Sequence, residues 1–524
     1  MYTFNLIDQP WIPVRVDGKL ALYSLERTLL EARTIERIED ASPLVQVALY
    51  RLLLAVLYRA LEGPETLEEL ADWFDVGFPE ERIRAYLERW KFRFDLFDES
   101  RPFLQVSDLQ NATFNGKAIA PKSWIELSPE IKDGGQGAPI FNHDYRRLTP
   151  ITVERAALYL LTRQTFALGG LSRTFIYSSK RSPSPNAVTI IPQGQNLLQT
   201  FCMSLDPNNY ALYAYDVPNW EKAEGQTISI LQNKSEEDCL GCAQAYSWLS
   251  RSIKLIPILL NGKLYVQNVF IASGIAPKFD IERFYDPMVG TRKIKYGARK
   301  GESAFIQFDA NRGFWRDFSS LFPAGDGTGR APRVIALASG LAKRCKARVY
   351  LGIFGLSNGT QEAKIDFHRF QRYLLPEAIS EDRESDVAGT LHQALMDAEE
   401  LGKVLDGAAR ALAKALLAHG NRKLDEGDVS RMVSGFPTAS SYWSALEGAF
   451  TQLLAQLTPD YLAPRVEAFW LERMLTASKR AWEKTREAAG DDAYALRAIY
   501  GAEGILARAQ QKFGAQLKEK REQL

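Results

Sequence analysis

Near residue 380 the hydrophobic periodicity of this 524-residue chain changes, and that change limits the folds open to it. From Val387 onward the apolar residues Val387, Leu391, Leu395, Leu401, Leu405, Leu412 and Leu416 recur at helical steps on one stripe. Breaks at Gly420, Pro437, Pro459 and Gly490-Asp491 divide the remainder. The segments between them are about 20 to 30 residues long and amphipathic, which predicts a four-helix bundle over 381–524. Residues 1–380 carry no such rhythm. The expected architecture is α+β, a large mixed N-terminal domain followed by the bundle.

Within the mixed region the opening reads as a hairpin, with Trp11 to Val16 followed by the turn dipeptide Asp17-Gly18. From Pro43 to Leu61 the apolar residues Leu44, Val47, Ala48, Leu52, Ala55, Val56 and Leu57 mark a core helix. Residues 98–150 break the pattern with Pro102, Pro121, Pro129, Pro139 and Pro150 and the glycine run Gly134-Gly135-Gln136-Gly137. A loop of that length is functional or disordered. A helix from Val153 to Phe166 ends at Gly169-Gly170, and residues 186–360 read as strands with Gly, Pro and Asn turns. The absence of an alternating strand-helix text argues against a parallel α/β sheet.

Composition narrows the chemistry. Lys and Arg number 65 against 64 Asp and Glu, and the pI is near 7.6, so any contact with nucleic acid has to come from local patches. Two such patches exist. Arg292, Lys293, Lys295, Arg299 and Lys300 stand against the single acid Asp286, and Arg330, Arg333, Lys343, Arg344, Lys346 and Arg348 have no acid among them. Cys202, Cys239, Cys242 and Cys345 are too scattered for a disulfide framework and suit a reducing, cytoplasmic setting. Met1 to Pro10 shows no secretory pattern, and apolar runs such as Leu52–Tyr58 fall short of the ~20 residues that span a bilayer. No membrane partner is expected.

Catalytic motifs are sparse. Gly355-Leu356-Ser357-Asn358-Gly359 matches G-x-S-x-G behind a plausible strand, Val349–Phe354. As an alternative function, a serine hydrolase would use Ser357 with His368, His392 or His419 as base. The doubly wound sheet which that mechanism requires is not visible upstream, so the motif reads better as a tight Gly/Asn turn. Cys239-Leu240-Gly241-Cys242 has metal-ligand spacing, yet a structural zinc wants four ligands and no second pair exists. No Walker pattern occurs. No cofactor or metal is expected, and the chain reads as a non-enzyme.

The opening Asn5-Leu6-Ile7-Asp8-Gln9-Pro10-Trp11-Ile12-Pro13-Val14 resembles the start of the CasA-type large subunit of type I-E CRISPR Cascade surveillance complexes. Arg101-Pro102-Phe103-Leu104-Gln105, Gly169-Gly170 after a helix, Phe314-Trp315-Arg316-Asp317 and a closing helical bundle follow in the family's order. The resemblance implies a reader: guide pairing carries sequence specificity, and the protein reads a short PAM in duplex DNA and helps open it. Implied partners are other Cascade subunits, the guide crRNA, double-stranded target DNA, and a helicase-nuclease recruited after R-loop formation.

By the same resemblance, Ile140, Phe141 and Asn142 occupy the tip of a loop touching the RNA handle and PAM-side DNA. Gly169 and Gly170 approach the minor groove. The family's basic finger matches Ser252, so Arg251 or Lys254 would substitute for it. Arg299 and Lys300 lie along the displaced strand, and Thr360 and Gln361 form a wedge.

Overall fold

The computed structural model describes the chain apart from residues 1, 115, 129–148, 170–180, 279–280, 282–285, 295–296, 323–328, 346–347, 359–364, 382–383 and 419–424. Two compact units divide it, Met1–Arg312 with Thr328–Arg372, and Gly313–Gly327 with Tyr373–Leu524.

The first unit is built around the Pro43–Leu61 helix. Ser42 caps it by accepting from the Val45 amide, Pro43 fits its first turn, and Glu62 ends it in the left-handed conformation. The helices Glu80–Trp90, Val153–Thr165 and Cys242–Tyr246 and the strand Tyr350–Ser357 pack around it. By length and composition this is the one described helix able to cross a membrane, longer than the apolar run read from Leu52–Tyr58, but nearly all of its residues are buried in protein. Arg51 is the charge that interrupts the apolar text before Leu52, and inside the fold it pairs with Asp286.

Antiparallel pairs dominate the sheets. Ile12–Val16 and Lys19–Tyr23 close on Asp17 and Gly18, both at positive φ (49° and 72°), the handedness a two-residue hairpin requires. A longer hairpin joins Arg251–Leu260 to Lys263–Ser273 through Asn261-Gly262, again at positive φ. Two short segments add to its second strand: Lys122–Ser123 opposite Asn268 and Val269, and Ile151–Thr152 opposite Tyr265 and Val266. The described segments that precede and follow 129–148 therefore pair with one and the same strand. Thr189–Gln193, Tyr350–Ser357 and Phe367–Leu374 form another sheet, and Thr291–Lys293 lies between Ser303–Phe305 and Gly329–Arg330. The one parallel pairing among the described strands joins Ala276–Lys278 to Glu236–Asp238.

The second unit contains four long helices, Glu384–Leu417, Thr438–Gln456, Ala463–Ala489 and Ala493–Glu522, with the short helix Glu426–Gly435 between the first two. Each long helix packs on the next and the last returns to the first, which closes a ring. Val387, Leu391, Leu395, Leu401, Leu405 and Leu412 are buried as the stripe requires, while Leu416 is half-buried. A first domain running unbroken to residue 380 does not describe the observed units. Gly313–Gly327 leaves it because Phe314, Trp315 and Phe318 are apolar rings that bury among the helices. Trp315 lies 5.5 Å from Phe450 and 6.3 Å from Trp470, and Arg316 pairs with both carboxylate oxygens of Glu399.

Candidate nucleic-acid interface

The Arg101–Gln105 motif folds into a strap. Asp98 accepts amide hydrogens from Ser100 and Arg101, turning the chain. Phe103 stacks on Phe94 at 4.8 Å and on Trp220 at 6.1 Å. Leu104 is held left-handed, at φ 50°, although it is a buried apolar residue. That strain lets Gln105 turn inward. Its amide nitrogen donates to the Leu96 carbonyl at 2.8 Å, and its oxygen accepts from the Leu255 amide at 2.8 Å. The Val106 amide donates to the Ile253 carbonyl. The strap thus runs beside the first residues of the long hairpin.

Arg251 and Lys254, the two candidate fingers, both donate to backbone carbonyls beside that contact. Arg251 is 5% exposed. Its guanidinium donates to the carbonyls of Ser250, at 2.7 Å, and Leu168, and its amide donates to Gln164 at 2.9 Å. Burial, joined by the positive charge of Arg163, pushes its pKa down to about 9. An arginine finger in an open groove is not its position. Lys254 is half-buried, its ammonium is pushed down by burial, and it donates to the Ser107 carbonyl. Ser252 is buried and donates to the Ser273 carbonyl. Gly169, half-buried, directly follows the carbonyl that Arg251 holds.

A second polar joint lies in the core. Arg51, on the central helix, pairs with Asp286 at 3.0 Å, the two side chains being 4% and 1% exposed. Asp286 also accepts from the Tyr246 hydroxyl at 2.7 Å and the Met288 amide at 3.0 Å, and Arg51 donates to Ser184 at 3.1 Å. One ion pair thereby fixes the chain just after 282–285 and shortly after 170–180.

The two basic patches part company. Arg299 and Lys300 are exposed at the tip of the Thr291–Phe305 hairpin, where Gly297 and Gly301 take positive φ (86° and 88°). Arg299 donates to Glu302 at 2.7 Å, both side chains being mostly in solvent. The second patch finds acids from elsewhere: Arg333 pairs with Asp206 at 2.9 Å and Arg344 with Asp75 at 3.1 Å. Ile140, Phe141, Asn142, Gly170, Thr360 and Gln361 lie outside the described residues.

With this geometry established, comparison with known proteins is decisive. Residues 5–489 match the family described as CRISPR-associated protein Cse1. The chain belongs to the Cse1 family. It is 32% identical to the CRISPR-associated protein CasA/Cse1 of Thermus thermophilus, over 98% of this chain and 97% of that protein. The solved structure of Thermus thermophilus CasA (Cse1) superposes with a TM-score of 0.83 at 31% identity, covering 98% of this chain and all of that one. Cse1 of Acidimicrobium ferrooxidans gives 0.80 at 24% identity, covering 98% and 99%. A chain of a CRISPR RNA-guided surveillance complex shares the fold, at 0.75 and 18% identity, covering 96% and 99%.

In this Cse1-family chain Ser357 ends a strand that turns back into Phe367–Leu374, and its side chain is buried. A nucleophile elbow instead runs from strand to helix and exposes its hydroxyl. Cys239 and Cys242 are buried, and burial raises both thiols well above their usual range. The Asp216 carboxylate accepts from the Ala243 and Gln244 amides, capping the helix that Cys242 begins. Sequence reasoning missed Arg51, Asp286 and Gln164. Arg51 was detectable as the charge inside an apolar helix, and Gln164 as the polar residue continuing the stripe Ala157, Leu160, Leu161. Asp286 left no local signal.

Proposed function

We propose that this Cse1-family chain is the non-catalytic large subunit of a type I-E CRISPR RNA-guided surveillance complex, where it reads the PAM in duplex DNA and helps open the duplex. Gly169 and Gly170 would approach the minor groove, where absent side chains permit close contact. Of the two candidate cations Lys254 is the more exposed, although it must release the Ser107 carbonyl to reach a groove. Ile140, Phe141 and Asn142 meet the guide handle or PAM-side DNA by stacking and amide hydrogen bonds. Thr360 and Gln361 enter beside the first base pair, and Arg299 and Lys300 take phosphates of the displaced strand. Partners are the other Cascade subunits, the crRNA, the duplex target and a helicase-nuclease that docks after R-loop formation.

The observation that carries this reading is convergence. The chain leading to Gly169, the strap and the base of the long hairpin meet on Gln164 and Arg251, while Lys122–Ser123 and Ile151–Thr152 both pair with that hairpin's second strand. No comparable convergence surrounds Ser357 among the described residues.

The test is binding of the reconstituted complex to two duplexes that differ only in the motif flanking the target. The complete complex is expected to prefer the PAM-bearing duplex by at least about tenfold. Omitting this subunit should remove the preference; a preference that survives its omission refutes the reading.

A further inference from the structure

We propose that Gln164 and Arg251 are positioning residues for the glycine turn, fixing Gly169 where the groove is read; the proposal rests on the function given above.

The carbonyls at the end of the Val153–Thr165 helix have no partners within the helix. Three of those at and just past its end are taken from outside. The Thr165 carbonyl accepts from the Ser182 hydroxyl at 2.6 Å, and the Ala167 carbonyl from the Ser182 amide at 2.9 Å. The Leu168 carbonyl accepts from the Arg251 guanidinium. The described residues on either side of 170–180 are therefore anchored at one place, the carbonyls between Thr165 and Leu168, and Arg251 holds the last carbonyl before Gly169.

Gln164 fixes Arg251 in turn. Its oxygen accepts from the Arg251 amide at 2.9 Å, and its nitrogen donates to the Arg251 carbonyl at 2.9 Å and the Leu104 carbonyl at 3.2 Å. Both side chains are buried, at 4% and 5% exposure. Two residues thus join the strap, the helix end and the hairpin base. A buried guanidinium is a costly way to fill space, and an apolar side chain of similar volume does so at less cost. What the guanidinium adds is a planar fork that holds the Leu168 and Ser250 carbonyls at fixed geometry. A recognition surface depends on such a supporting shell, because a displacement of about 1 Å loosens its hold on the target.

The experiment compares assembled complexes carrying wild-type subunit, Arg251→Met, Arg251→Lys or Gln164→Leu. Subunit assembly is followed by size exclusion, and affinity is measured for PAM-bearing and PAM-less duplexes over a range of salt. Arg251→Met and Gln164→Leu are expected to assemble, to keep PAM-less affinity and its salt slope, and to lose about tenfold of the PAM preference. Arg251→Lys keeps the charge but cannot reproduce the fork, and should fall between. An assembled Met variant with wild-type preference overturns the proposal. A parallel loss on both duplexes overturns it too, since that is what a purely structural residue would give. Should the Met variant fail to assemble, wild-type preference in the Lys variant overturns it. A wild-type complex without any PAM preference removes the functional reading and this inference with it, whereas a preference that survives the substitutions removes the inference alone.

Discussion

Two arginine-bearing hairpins in the first unit use the same side chain in opposite ways. Arg251 opens the longer hairpin from inside the protein, with its donors committed to backbone carbonyls. Arg299 sits at the tip of the shorter one, tied among the described residues to Glu302, which is also mostly in solvent. An exposed pair of that kind contributes ~0–1 kcal/mol and yields readily to a phosphate. A buried guanidinium cannot leave its site without breaking the fold around it. Counting cations along a sequence therefore measures the charge present, and burial determines how much of it a polyanion can reach.

The strongest way to test this contrast is to cut a buried joint. Asp286→Ala takes the carboxylate away from the buried Arg51 guanidinium, which keeps the neutral hydroxyls of Ser184 and Thr189 but no ion-pair partner, and removes the acceptor of the Tyr246 hydroxyl. The expected loss is about 3–5 kcal/mol of stability, read from denaturant unfolding and nearly independent of salt. A loss below ~1 kcal/mol would show that the joint contributes little.

The opposite result is expected at the exposed hairpin. Arg299→Ala with Lys300→Ala should leave stability within ~0.5 kcal/mol. In the assembled complex, the slope of log affinity for DNA against log salt should become shallower by up to ~2, about one for each phosphate left without its cation, whatever the sequence. An unchanged slope would mark these residues as a solvated surface. Significant unfolding would erase the contrast with Arg251.

What the sequence disclosed follows the same division. The Pro43–Leu61 helix and the Asp17-Gly18 hairpin were readable because local periodicity and turn chemistry determine them. The helical text after residue 380 was readable for the same reason, and its apolar stripe is buried except at Leu416. The family resemblance was also legible, from the opening motif onward, and the Cse1 match bears it out. Gly313–Gly327 was misassigned because its aromatic residues say only that they will be buried, not in which unit. Arg251 looked like an available cation because its partners are backbone carbonyls, which leave no trace in sequence. The second patch looked unopposed because Asp75 and Asp206 lie far away along the chain. Pairings between distant residues decide the site, and one sequence does not record them.

The smallest effect concerns the Cys239 and Cys242 pair, where spacing and burial again point in different directions. C-x-x-C spacing suggests metal or redox chemistry, and both need thiolates within reach of solvent. Here both side chains are buried, at 4% and 1% exposure, and burial raises both thiols, with Asp216 and Asp286 adding negative charge nearby. At pH 8 the native protein should therefore leave both unlabelled by iodoacetamide for hours, as read by peptide mass spectrometry. In denaturant, where the usual thiol range returns, both should react within minutes. Rapid native labelling at either position would mean that this helix start opens to solvent, and that burial at Cys239 and Cys242 does not restrict access as it does at Arg251.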